Sequence, residues 1–134
     1  MNKLQLIIIL ALSLFLFTNC EKPEECIEYK TASVIEVQGP TNAEIGKLVT
    51  FDVKIEIPDG CGEINRFVIL KTGTITKINA TSRHTGCNCS TGSKIIRTTF
   101  SYKWTYALAD AQLHFFNAKS NNYTIHKIEI INPL

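Results

Sequence analysis

The chain has 134 residues, with 14 basic and 12 acidic side chains, a net charge of +2 and five cysteines. That near-neutral balance, with no run of basic residues interleaved with aromatics, argues against a nucleic-acid partner. The 115 residues that follow position 19 suit one domain with one modest core.

Residues 1–19 begin Met-Asn-Lys, continue with the apolar run Leu4 to Phe17 and break at Thr18-Asn19. A short basic start, a short apolar stretch and a polar break are the grammar of a secretory signal peptide. The run is shorter than the ~20 residues of a membrane-spanning helix. Cys20 stands at the cleavage point and is followed by Glu21-Lys22-Pro23-Glu24-Glu25. On these residues the segment resembles a bacterial lipoprotein signal, and the box Phe17-Thr18-Asn19-Cys20 is similar to the relaxed boxes of Bacteroidota lipoproteins. The resemblance implies cleavage before Cys20, lipid on its thiol, and an address at the cell envelope, on the outer membrane. Glu21, Glu24 and Glu25 resemble a surface-export signal. Each buried lipid methylene is worth ~0.8 kcal/mol, so two or three acyl chains hold a protein stably on its membrane.

Residues 20–31, the lipid-bearing Cys20 included, read as a short charged tether. Residues 32–132 read as the folded domain. Residues 32–38 form a first predicted strand, closed by Gly39-Pro40. Residues 47–57 alternate: Val49, Phe51, Val53, Ile55 and Ile57 share one face, while Leu48, Thr50, Asp52, Lys54 and Glu56, nearly all polar, share the other. Pro58-Asp59-Gly60-Cys61-Gly62 is a turn by composition. The continuous apolar run within 64–71 reads as a strand covered on both faces. Residues 74–80 read as an edge strand, and 81–93 as a long polar loop. In 94–106, Ile96, Phe100, Tyr102, Trp104 and Tyr106 share one parity and point to the core. Residues 107–111 suit a helical turn between sheets. Residues 112–118 and 123–131 are two more strands, the second needing a bulge near His126 or Lys127 to reconcile its parity.

About seven short strands with turns between them and no helical pattern predict an all-β, antiparallel sandwich. The order, with Leu108-Ala109-Asp110-Ala111 ahead of a strand, resembles the immunoglobulin-like or fibronectin type III superfold. That resemblance implies that the N-terminus, the turn near Cys61 and the loop holding Cys87 and Cys89 gather at the end nearest the lipid. The loops near 39–46, 72–73 and 107–111 would then face outward.

Apart from Cys20, the cysteines are Cys26, Cys61, Cys87 and Cys89. Four cysteines in a small exported domain predict two disulfides. A Cys87–Cys89 bridge would close too tight a ring. Cys26 and Cys61 are therefore each expected to pair with one of Cys87 and Cys89, with both assignments open. The spacings lack the paired knuckles of a four-thiolate zinc site, so no metal and no cofactor is expected.

No catalytic signature stands out. His84 falls in the polar loop and reads as solvated. His114 and His126 lie on neighbouring strands and read as structural. Asp52 and Glu56 share a solvated face, and Ser90, Ser93 and Ser101 lack a nucleophile-elbow context. Charge is split along the chain: residues 20–63 hold 10 acidic and 4 basic side chains, and residues 64–134 hold 2 and 9. The halves are expected to neutralise each other on folding; otherwise the basic half calls for an anionic partner, a glycan or a lipid surface. The function expected is a non-enzymatic, membrane-anchored binding or structural module contacting another envelope protein. The alternative is a small carbohydrate- or ligand-binding domain.

Overall fold

The computed structural model describes residues 26–133; residues 1–25, and with them the signal segment, Cys20 and Glu21–Glu25, lie outside the described residues. Nine strands run in order: β1 (Ile27–Thr31), β2 (Ser33–Gln38), β3 (Asn42–Glu44), β4 (Leu48–Ile57), β5 (Gly62–Thr72), β6 (Ile75–Thr85), β7 (Lys94–Lys103), β8 (Leu108–Asn117) and β9 (Asn122–Ile131). They form two sheets, one of three strands in the order β2-β4-β7 and one of six holding β5, β6, β1, β8, β9 and β3. Residues 27–31, read as tether, are thus a strand of the larger sheet. The chain leaves that sheet for the smaller one at Ala32, whose N–H donates to the Ala80 carbonyl at 2.9 Å.

Alternation sets the core. On β4, Phe51, Val53, Ile55 and Ile57 are buried while Thr50 and Asp52 face water. On β7 and just beyond it, Phe100 and Trp104 are buried and Tyr102 partly so. Phe100 sits at the centre, its ring 5.2 Å from Phe67, 5.4 Å from Phe115 and 6.3 Å from Phe51. Tyr106 departs from the expected stripe: β7 ends at Lys103, the chain turns, and the ring is 45% exposed.

The expectation of a wholly antiparallel sandwich is corrected. The three-stranded sheet is antiparallel, but β6 runs parallel to β8 and β3 parallel to β9. The reason is connectivity: after β6 the chain crosses to the other sheet as β7, so β8 returns beside β6 in the same direction, as a crossover requires.

The readings of β5 and β6 exchange places. The segment 74–80, taken for an edge, is the first half of an interior strand that runs to Thr85. β6 gives one side to β5 along its whole length and divides the other between β1 and β8. The apolar run of β5, taken for a doubly covered strand, is the edge, with Ile69 and Leu70 exposed. The facing sheet has only three strands, so nothing lies over the outer part of β5. A bulge between Ile64 and Arg66 interrupts its ladder. The β5–β6 turn is the two-residue loop Gly73-Thr74, with the positive φ (60°) at Gly73 that such a hairpin demands.

Two local expectations also change. Residues 108–111 open β8 rather than forming a helical turn, and the bulge falls in β8, between Leu108 and Ala111, not in β9. β9 keeps one register throughout: Ile128 and Ile130 point to the core, while Tyr123 and Ile125 stay on the outer face.

Candidate functional site

The registers bring Cys26, the turn after β4 and the segment after β6 to one end of the molecule, because Ile27 and Gly62 flank Thr85 and His84. Two disulfides close that end, Cys26–Cys87 and Cys61–Cys89, with Cα separations of 5.2 and 5.3 Å. This resolves the open pairing. Cys87 and Cys89 therefore form no redox couple with each other. Asp59, Cys61 and Cys89 offer ligand atoms within 4.8 Å of one another, but the two sulfurs are bonded together and supply no thiolate to a metal.

Beneath the disulfides lies a hydrogen-bonded network that the sequence reading missed. His84, expected in a solvated loop, is 2% exposed, because β6 continues past residue 80 and turns Thr76, Ile78, Ala80, Ser82 and His84 inward. Its Nδ1 donates to Asp59 Oδ1 at 2.6 Å, since an ionised carboxylate only accepts. Its Nε2 lies 2.7 Å from Ser82 Oγ, which is also 3.3 Å from the Lys30 carbonyl. Lys30 Nζ joins Asp59 Oδ2 and Glu28 Oε2, each at 3.1 Å, and the Cys61 N–H donates to Asp59 Oδ1 at 3.1 Å. Burial by itself would raise the Asp59 carboxyl; hydrogen bonds from His84, Lys30 and the Cys61 N–H outweigh it and hold the group below the ordinary carboxylate value. Hydrogen bonds to Asp59 and then Glu28 hold Lys30 above the ordinary lysine value.

The order Ser82–His84–Asp59 has the connectivity of a nucleophilic triad, so the space around it matters. A cleft of about 310 Å³ opens beside it, lined by Glu28, Lys30, Asp59, His84 and the disulfide loop. Ser82 does not line it and is fully buried. A reacting carbonyl needs a position about 3 Å from the nucleophile, and the cleft offers none at Ser82 Oγ. What the network does is pin the turn carrying Asp59 and Cys61 to β1 and β6.

The remaining candidates separate. His126 points inward, donating from Nε2 to the Pro40 carbonyl at 2.9 Å with its ring 5.2 Å from Phe51, whereas His114 lies on the outer face. Glu56 pairs with Lys119, and Lys54 with Glu36, so the β4 carboxylates do not converge. Ser101 Oγ meets Thr50 Oγ1 at 2.8 Å on the surface.

The expected mutual neutralisation of the halves by lysine or arginine is limited to one ion pair among the described residues, Glu56 with Lys119. The acids of the first half meet nearby lysines: Glu28 and Asp59 meet Lys30, Glu44 meets Lys47, and Glu36 meets Lys54. Of the nine basic residues in 64–134, Lys119 alone joins an ion pair among the described residues. The others form none, although Arg83 lies across from Glu63 and Arg97 lines a surface cleft with Glu36 and Asp52. Four of them, Arg66, Lys77, Arg83 and Lys127, lie on the outer face of the six-stranded sheet.

Comparison with known proteins finds no matching protein family, no matching curated relative and no matching solved structure.

Proposed function

We propose that this chain is a membrane-anchored cell-envelope lipoprotein, held by lipid on Cys20, that acts as a non-enzymatic binding or structural module through contact with another envelope protein. The reading is supported by one observation above all. The end opposite the disulfides carries several exposed apolar side chains. Tyr106 lies there under Lys71 Nζ, 3.9 Å from its ring centre. Leu48 is 68% exposed and Ile131 41%. The intervening backbone is joined by Gly46 N–H to the Trp104 carbonyl and Ile45 N–H to the Ile131 carbonyl. Apolar groups rimmed by lysines at a free end suit a protein contact.

An immunoglobulin-like arrangement of the strands belongs to the same proposal. β2, β4 and β7 correspond to strands A, B and E of that scheme, and β8 and β9 to F and G. The insertion of β6 between β5 and β8 departs from it.

Two experiments test the proposal. Intact mass of the membrane-extracted protein, with and without reduction and alkylation, is expected to show an acylated Cys20 and two disulfides. An unlipidated mass with the signal retained or cut elsewhere removes the anchor. A photocrosslinking side chain at Tyr106 is expected to give one discrete protein adduct in intact cells, and one at Thr99, on the outer face of the smaller sheet, none. Equal labelling from both positions rejects the distal end as the contact.

A further inference from the structure

The outer face of the six-stranded sheet is not a uniform solvated surface. Across β5, β6, β8 and β9 its side chains fall into rows. Leu70, Lys77, His114 and Ile125 make one row. Gln112 and Lys127 belong to the next, and Val68, Asn79, Phe116 and Tyr123 lie on the other side. Tyr123, 38% exposed, is the hub: Phe116 lies 5.4 Å from its ring and His114 5.7 Å, and Lys77 Nζ stands 5.6 Å above it. His114 Nε2 donates to Gln112 Oε1 at 2.8 Å, which leaves Nδ1 as an acceptor on the face. Burial, and then the charge of Lys77, hold this imidazole below its ordinary value and so in the neutral form at pH 7. The Oδ1 of Asn79 is buried with no hydrogen-bond partner among the described residues, an acceptor left over beneath the same face.

Charge says what this face takes. Lys77, Lys127, Arg66 and Arg83 lie on it with no ion pair among the described residues; of the acids on these strands, Glu63 lies across from Arg83, and Asp110 and Glu129 line one cleft with Lys127, so Lys77 is the cation beside the aromatic hub with no acid facing it. We infer that this face binds an anionic polysaccharide, a sugar ring lying against Tyr123 and its acidic groups meeting Lys77. The inference rests on the reading of the chain as a binding module and names a second surface for it. Aromatic rings offer the apolar side of a sugar a flat support, the amide and imidazole groups meet its hydroxyls, and the unpaired lysine meets its acidic groups. Leu70 and Ile125 are exposed in the same row, so an anionic bilayer is the competing partner that the test must separate; the amide and imidazole groups around Tyr123 favour the sugar.

The test is retention of the full-length chain, in detergent, on immobilised alginate as a polyuronate. Dextran serves as the neutral polymer and phosphatidylglycerol vesicles as the anionic bilayer. Binding to alginate that weakens with salt is expected, with none to dextran. Lys77→Glu and Tyr123→Ala should each weaken it about tenfold or more, and Lys103→Glu, on the other sheet, less than about twofold. Equal melting temperatures for the variants exclude loss by unfolding. Absence of alginate binding overturns the site, as does binding to the vesicles alone or equal loss in Lys103→Glu. If alginate fails while Tyr106 still crosslinks, the glycan site falls and the module reading stands; if both fail, both fall.

Discussion

Replacing His84 by Ala would remove the group that lies between the Asp59 carboxylate and the Ser82 hydroxyl. Both partners would then face a small cavity without their strongest contact. The expected cost is about 1–3 kcal/mol, the ordinary penalty for buried polar groups left unsatisfied, measured as a shift in the denaturation midpoint. Gly62→Ala tests the same place sterically, since a Cβ there would meet the Ile57 side chain and come within 2.6 Å of His84 Cε1. Overpacking of this kind costs about 1–3 kcal/mol. The Asp59 carboxyl also predicts a pH effect. Its folded value lies below the unfolded 3.8, so its contribution is fully present above that value and is lost as pH falls below it through the folded value. Asp59→Asn should remove that part of the acid loss, which a melting series at decreasing pH would show. At this scale the sequence was a poor guide. Ser82 and His84 look like loop residues because they are polar, and only the parity they share with Ile78 and Ala80 indicates that they point inward. Their burial depends on Asp59 and Lys30, brought from elsewhere in the chain to satisfy them.

At the scale of strands, β4 and β7 were legible from alternation alone, because each has one face on the core and one in water. The same rule overreached at the end of the β7 stripe, where parity continues past the point at which the chain leaves the sheet. The difference is measurable: Phe100→Ala should cost about 3–5 kcal/mol, and Tyr106→Ala no more than about 0.5 kcal/mol. Comparable losses would show that the exposed ring is held by more than its contact with Lys71. The β5–β6 hairpin was read with its members reversed, for a physical reason. Apolar content reports how much surface a strand could bury, but not whether the opposite sheet is wide enough to cover it. β6 is interior through its backbone pairing on both sides, and pairing leaves little trace in composition when the inward residues are Thr, Ala, Ser and His.

For the molecule as a whole, cysteine spacing correctly required two bridges out of one loop, and the folded registers then chose Cys26 for Cys87 and Cys61 for Cys89. The bridges close separations of 61 and 28 residues. Chain-entropy arguments give about 4 kcal/mol for the longer and about 3.5 kcal/mol for the shorter. Because the loops overlap, removing both by paired Cys→Ser replacement should cost less than the sum, and denaturant titration of the three variants would measure the shortfall. Parallel pairing of β6 with β8 was beyond reach of any local pattern, since it follows from the route of the chain between sheets.

The Cys26–Cys87 bridge also governs how the protein responds to being pulled. Tension entering ahead of Cys26 passes through the sulfurs to Cys87 and bypasses everything between them. Stretched to residue 133, the oxidised protein can yield only the segment after Cys87, roughly 150 Å of extended chain, whereas the reduced protein can yield roughly 360 Å. Strands β1 to β6 all lie inside the bypassed loop, so none of them can be drawn out under load. A tug from the N-terminal side would thus reach the molecule as if it were a short leash fastened to its middle.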